Sequence, residues 1–226
     1  MENQKIVIVG GVAGGATAAA RLRRLSEKTH IVLLERGEYI SFANCGLPYY
    51  IGGAIEKRDK MLVQTVEKMS ERFKLDIRNL SEVTHINREQ KTVSILNLRT
   101  GETYSETYDT LLLSPGAKPF IPPISGLAEA RHVFSLRNIP DTDKIKNYVD
   151  QLKPQKAVIV GGGFIGLEMA ENLHALGIKV SLIELSQQVM EALDFEMAAI
   201  LQQHLRSKGV DLYLNDGLQR LAEAGC

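Results

Sequence analysis

The stretch KAVIVGGGFIGLEMAENLHALGIKVSLIE, from Lys156 to Glu184, decides the fold. A β-branched run ends at Val160, three glycines follow, and the next residues are helix formers interrupted only by Gly166. A second apolar run, KVSLIE, then ends on an acid. The pattern reads as strand, tight turn, helix, strand, carboxylate. Gly161, Gly163 and Gly166 fit G-x-G-x-x-G, and Glu184 lies 23 positions past Gly161. Glycines so placed let the backbone turn tightly and approach a pyrophosphate, which rests on unpaired N–H groups at the helix N-terminus. The distal acid accepts hydrogen bonds from ribose hydroxyls.

The same order occurs near the start. KIVIVGGVAGGATAAARLRRL begins at Lys5, and HIVLLE closes at Glu35. Gly10 and Gly15 hold the outer positions, Val12 replaces the middle glycine, and Gly11 and Gly14 are extra. Glycine-rich turns in ordinary α/β packing account for the glycines but not for two terminal acids. The sequence therefore predicts an α/β chain of two Rossmann-like, doubly wound, three-layer nucleotide-binding modules. The first covers residues 1–120 and the second residues 121–226, incomplete at its C-terminus. KPFIPPISGL, from Lys118 to Leu127 with Pro119, Pro122 and Pro123, reads as a stiff connector. TVSILNLRTGETYSETYDTLLL reads as a hairpin turning at RTGE, a small antiparallel addition to the first module. The tail from Leu212 to Cys226 shows no partner strand and is expected to fray.

Composition removes several function classes. Lys plus Arg and Asp plus Glu both total 27, so no net field draws the chain to nucleic acid or anionic lipid. Aromatic residues are 6% with no tryptophan, which argues against a base-stacking surface. The apolar run from Ile6 to Ala20 resembles a signal sequence, but its glycines belong to the turn motif. The run from Ala157 to Leu167 is too short to span a bilayer. With two cysteines, Cys45 and Cys226, neither a structural disulfide nor a zinc site is expected. These features fit a cytoplasmic protein without membrane, nucleic-acid or metal partners. By composition alone Cys45 is a buried hydrophobe or a working thiol.

Two dinucleotide units with SFANCGLPYYIGG (Ser41 to Gly53) shortly after the first acid resemble the FAD-dependent pyridine nucleotide-disulfide oxidoreductases. Within them the match is to the single-cysteine branch of coenzyme A-disulfide reductases and NADH-dependent persulfide reductases. YDTLLLSPGAKP, SLRNIPDTDKI and GGGFIGLEMAENL extend the resemblance over nearly the whole chain. It implies FAD at Gly10, Gly11, Val12, Ala13, Gly14, Gly15, Glu35, Arg36 and Gly116. It implies a nicotinamide dinucleotide at Gly161, Gly163, Phe164, Ile165, Gly166, Glu168 and Glu184. Glu184 repels a 2′-phosphate, and LSQQ after it offers no arginine, so NADH is favoured over NADPH. Phe164 has two readings: an aromatic shield over the flavin, or a side chain packed on the sheet.

The resemblance makes Cys45 the redox-active residue. Ser41 and Asn44 offer polar partners, and Pro48 can open a helix whose N-terminus favours negative charge. Thr17, Arg21 and Arg24 sit at i, i+4 and i+7, hence on one helix face, and an arginine pair suits the phosphates of coenzyme A. The family's coenzyme A contacts fall on Thr17, Arg21, Arg24, Ser41 and Asn44. Arg23 and Lys28 are read as a solvated basic face. One family member has lysine where this chain has Phe73, and neither Arg72 nor Lys74 is assumed to replace it.

Related NADH peroxidases and oxidases carry histidine at the position of Ala13, so a disulfide or persulfide is the expected small-molecule substrate. Coenzyme A serves as substrate or bound thiol. The chain is expected to be the N-terminal portion of a longer homodimeric protein, lacking the C-terminal dimerisation domain, and to turn over poorly alone. Competing readings are a truncated fragment that binds nucleotides without turnover, an NADH oxidase- or peroxidase-type flavoprotein, and a ferredoxin-reductase-type flavoprotein that needs no reactive cysteine.

Overall fold

Each glycine motif follows the carboxyl end of a parallel strand: three consecutive buried residues, Ile6 to Ile8, precede the first, and an alternately exposed strand precedes the second. The computed structural model describes residues 4–222. In chain order it has β1 (Lys5–Val9), α1 (Gly14–Leu25), β2 (His30–Leu34), α2 (Leu47–Ile51), α3 (Val66–Phe73), β3 (Asp76–Arg78) and β4 (Ser81–Asn87). Then come β5 (Thr92–Asn97), β6 (Thr103–Thr107), β7 (Thr110–Leu113), α4 (Ile139–Leu152) and β8 (Lys156–Val160). The last elements are α5 (Phe164–Ala175), β9 (Lys179–Glu184), α6 (Phe195–Ser207) and β10 (Asp211–Leu214). The chain divides into two compact units: 1–43 with 59–118, and 44–58 with 119–226.

The first unit has a parallel sheet in the order β3-β2-β1-β7. Lys5 lies opposite His30 and Val9 opposite Leu34, so the β1 turn motif and Glu35 leave the sheet at the same end. Alternate strand residues face opposite sides. Ile6, Ile8, Ile31 and Leu33 bury with Ala16 and Ala19 of α1 and Met69 of α3. Val7, Val32 and Leu34 bury against Val93 and Ile95 of β5. The second face is therefore covered by an antiparallel sheet, β4-β5-β6, rather than by helices. Gly101, at φ +78°, sits in the turn expected at RTGE, and β4 adds a third strand with a bulge between Val83 and His85.

The second unit has a parallel sheet in the order β10-β9-β8. Its core joins Ile145 and Val149 of α4, Met169, Ala170 and Leu173 of α5, Val180 and Leu182 of β9, and Leu205 of α6. On β8, Val158 and Val160 are exposed. The tail expected to lack a partner has one: β10 pairs with β9, Leu212 opposite Leu182 and Leu214 opposite Glu184. Leu212 and Leu214 pack on the core, which four residues suffice to do on one face. Cys226 lies outside the described residues.

The division also differs from a simple cut near residue 120. Residues 44–58, with the SFANCGLPYY cysteine, belong with the second unit. Ile51 is fully buried in that unit's core. A Cβ on Gly52 would lie 2.2 Å from Asn172 Oδ1, so only glycine lets α2 approach α5 this closely. Arg58 grips Asp143 of α4 with two nitrogens, Nε–Oδ1 at 2.9 Å and Nη2–Oδ2 at 2.7 Å.

Candidate functional site

The two turn motifs are built alike. Gly10 and Gly161 take φ of +97° and +105°, a region that disfavours any side chain. A Cβ on Gly15 would lie 1.7 Å from the Gly10 carbonyl oxygen, and one on Gly166 2.0 Å from that of Gly161. These glycines bring each helix onto its preceding turn. Gly163 is different: it is the residue before α5, and a Cβ there meets nothing within 4 Å.

Each distal acid is held by its own loop. Gly11 N–H donates to Glu35 Oε2 and Gly37 N–H to Oε1, both at 2.6 Å. Gly162 N–H donates to Glu184 Oε2 at 2.6 Å and Ser186 N–H to Oε1 at 2.8 Å. Burial opposes ionisation of Glu184, but the Ser186 and Gly162 amides prevail and hold its carboxyl below the ordinary value. Each oxygen keeps lone-pair capacity for a ribose hydroxyl.

Helix starts α1 and α5 have no side-chain cap and no acidic residue in the first turn. By contrast α3 is capped by Thr65 and α4 by Asn138, and both have a first-turn acid. Uncapped N-termini facing glycine turns suit a bound phosphate. Val12 and Ala13 complete the first turn, with Ala13 as N-cap of α1. Gly116 follows β7 at φ +70°. Arg36 is an exposed partner of Glu82 at 3.5 Å. Phe164 is 70% exposed and Ile165 52%, so Phe164 does not pack on the sheet of its own unit. Glu168 is half-buried in the second turn of α5, and its carbonyl accepts from Asn172 Nδ2 at 2.8 Å.

A cleft of about 290 Å³ lies wholly in the first unit. Thr17 and Arg24 line it from α1, Met69, Arg72 and Phe73 from α3, and Ser41 and Gln64 from the loops. Ala20 lines it where helix spacing suggested Arg21, which points elsewhere as an exposed side chain. Ser41 has φ +44°, a strained backbone for a serine. Three bonds hold it there: Ser41 N–H to Gly11 O at 3.0 Å, and Val63 N–H and Gln64 N–H to Ser41 O at 2.9 and 3.2 Å.

Cys45 follows Ser41 by four positions, in the 3-10 turn Asn44–Gly46 that leads into α2. It is a free, exposed thiol, not the buried hydrophobe that composition allows. Beside it, Asn44 Oδ1 is buried without a hydrogen-bond partner among the described residues. An orphaned buried acceptor marks a place where a donor belongs. Among the described residues no His, Cys, Asp and Glu cluster could hold a metal, and no helix is long and apolar enough to cross a membrane.

Gln64 and Met69 in the cleft were not expected, and Arg72, considered beside Phe73, was not assigned there, because nothing local signals that α3 packs beside α1. It also misjudged Arg23. That guanidinium donates to the carbonyls of Phe73 (Nε, 2.8 Å), Lys74 (2.9 Å), Ser26 (3.1 Å) and Glu27 (2.7 Å). It ties the ends of α1 and α3 together rather than serving a solvated face.

The chain belongs to the pyridine nucleotide-disulphide oxidoreductase family, whose profile matches residues 4–226. It is 39% identical to the coenzyme A disulfide reductase of Staphylococcus haemolyticus, over 94% of this chain and 48% of that protein. It is similar to the solved structure of reduced Bacillus anthracis CoADR-RHD, at 60% identity and TM-score 0.96, over 99% of this chain and 40% of that one. The NAD-dependent persulfide reductase from A. fulgidus is also similar, at 36% identity and TM-score 0.91, over 97% and 41%. The chain spans about half the length of the curated relatives it matches.

Proposed function

We propose that the protein to which this chain belongs passes electrons from NADH through FAD to Cys45, and so reduces coenzyme A disulfide or a coenzyme A-linked persulfide. The observation that carries this reading is the free, exposed thiol of Cys45 in the turn Asn44–Gly46 that opens α2. The likeness to a coenzyme A disulfide reductase and a persulfide reductase supports it.

The first turn, with Gly10, Gly11, Gly14, Gly15 and the Glu35 carboxylate, fits FAD. The glycines leave the backbone bare and the helix start is uncapped. The second turn, with Gly161, Gly163, Gly166 and Glu184, fits NADH, and the negative charge held on Glu184 disfavours a 2′-phosphate. FAD, when bound, supplies a carrier between the two-electron hydride donor and a thiol–disulfide centre. The exposure of Phe164 at the start of α5 supports its reading as an aromatic shield rather than a side chain packed on its own sheet.

The chain's own chemistry is thiol–disulfide exchange. The Cys45 thiolate attacks one sulfur of coenzyme A disulfide, forming a Cys45–coenzyme A disulfide and expelling coenzyme A thiolate. Two electrons and a proton then cleave that mixed disulfide, returning Cys45 as thiolate and releasing the second coenzyme A as thiol. Thr17, Arg24 and Ser41 bind and orient the substrate. With alanine at position 13, the first turn offers no imidazole for peroxide cleavage.

The test is a titration of the FAD-loaded protein with NADH and coenzyme A disulfide, counting thiols as the cofactor is consumed. Each NADH should yield two coenzyme A thiols in wild type and none in Cys45→Ser, with dye reduction retained. A ferredoxin-reductase-type flavoprotein would instead keep its whole activity in Cys45→Ser.

A further inference from the structure

The loop after each distal acid closes back onto its glycine turn, and it does so in the same way in both repeats. Ser41 is the sixth residue after Glu35, and Met190 is the sixth after Glu184. Ser41 has φ +44° and Met190 φ +50°, left-handed backbone that neither side chain favours. Ser41 N–H donates to Gly11 O at 3.0 Å, and Met190 N–H donates to Gly162 O at 2.9 Å. The residue before each is buried against the same glycine: a Cβ on Gly11 would lie 3.1 Å from Ile40 Cγ2, and one on Gly162 2.9 Å from Val189 Cγ1. Strain placed at the same position of both units acts as a brace on the turn it touches.

The two braces differ in what holds them. Ser41 is fixed by backbone, through Val63 N–H and Gln64 N–H. In the second unit a side chain does this. Val189 is fully buried, and its N–H donates to Gln202 Oε1 of α6 at 3.1 Å. Gln202 is itself buried, on the helix face that carries Ala198 and Leu205 into the core, where a carboxamide is costly unless it serves a partner. The loop closes on itself through Gln188 Nε2 to Leu193 O and Leu193 N–H to Met190 O, both at 2.8 Å. Gly162 is therefore held at both its backbone groups, its carbonyl by Met190 and its N–H by Glu184. A peptide is planar and trans, so fixing the Gly162 carbonyl also fixes the Gly163 N–H, which points away from Met190 at the start of α5.

We propose that Gln202 is a positioning residue for the dinucleotide: from the core of the second unit it seats Met190, and through Met190 it aims the Gly162–Gly163 peptide and the Glu184 carboxylate at pyrophosphate and ribose. The identity of the ligand rests on the function proposed above; the brace itself rests on Gln202, Val189, Met190 and Gly162.

The experiment compares the chain as wild type, Gln202→Met, Gln202→Glu and Leu205→Ala. Methionine keeps the length of glutamine without its acceptor, glutamate keeps an acceptor oxygen, and Leu205→Ala loosens the same helix without touching the brace. Amide hydrogen exchange at Val189 and Met190 is followed by NMR, and NADH and ADP-ribose are titrated calorimetrically well below each variant's melting temperature. Gln202→Met should speed exchange of both amides about tenfold or more and weaken NADH and ADP-ribose alike, each about fivefold or more. Gln202→Glu should recover most of both effects. Leu205→Ala should melt lower yet bind both ligands within about twofold of wild type. Unchanged exchange in Gln202→Met overturns the brace. Gln202→Met binding both ligands as wild type does, or Leu205→Ala weakening them equally, overturns the positioning role while the NADH reading stands. A wild-type chain that binds neither ligand, with exchange still faster in Gln202→Met, leaves the brace but overturns the NADH reading and with it the positioning role.

Discussion

Substituting two glycines of one motif should separate binding from stability. A Cβ added at Gly166 would lie 2.0 Å from the Gly161 carbonyl oxygen, whereas real Cβ contacts essentially never fall below 3.0 Å. The obstacle is backbone, so Gly166→Ala must push α5 off the β8 turn by about an ångström. Overpacking of this kind costs about 1–3 kcal/mol, a fall in Tm of roughly 2–12 °C for a chain of this size. At Gly163 the added Cβ meets nothing within 4 Å, and φ is −78°, so alanine is tolerated by the backbone. Its stability should change by less than about 1 kcal/mol. The new methyl group projects into the space we assign to a pyrophosphate, so NADH affinity should fall about tenfold or more. Denaturant unfolding gives the first quantity and NADH fluorescence titration the second. Gly163→Ala binding NADH like wild type, or Gly166→Ala unfolding at the wild-type midpoint, would refute the reasoning.

Arg23→Gln should destabilise the chain by about 1–2 kcal/mol in urea unfolding, because the part-buried carbonyls of Phe73 and Ser26 lose their donor; an unchanged midpoint would mean that those carbonyls are equally well served by water. Burial opposes the charge of Glu106, but Lys5 and Arg78 hold its carboxyl below the ordinary value. A depressed folded pKa gives stability that is complete above the unfolded value of about 4.3 and is lost as pH falls through the folded one. Glu106→Gln should therefore lower stability at neutral pH by about 1–2 kcal/mol and flatten the acid side of the stability profile, as read by melts from neutral to acid pH. Glu184→Ala should weaken NADH binding about tenfold, measured by the same fluorescence titration.

Both β–turn–α–β units were legible because their physics is local. Glycine spacing, strand runs and the closing acids lie within about thirty residues, and the structure joins each acid to its own turn through Gly11 and Gly162. The RTGE hairpin was legible for the same reason. What sequence could not supply depends on contacts between distant segments. Residues 44–58 join the second unit because Ile51 finds its core there and Arg58 finds Asp143. Arg72 enters the cleft because parallel pairing of β2 with β3 brings α3 beside α1. Arg23 looked like one more basic residue on a helix until the carbonyls of Phe73 and Lys74 were placed against it. β10 escaped notice because four residues carry too little alternation to announce a strand.

The proposed reaction begins with Cys45 as the nucleophile that captures coenzyme A. Intact-mass and peptide mass spectrometry of the chain treated with coenzyme A disulfide measures this without any bound cofactor. The expected result is one thiol-reversible coenzyme A adduct on Cys45, formed about tenfold or more faster than the glutathione adduct, and absent from that peptide's position in Cys45→Ser. An unmodified Cys45, or modification no faster by coenzyme A disulfide than by glutathione disulfide, would contradict it.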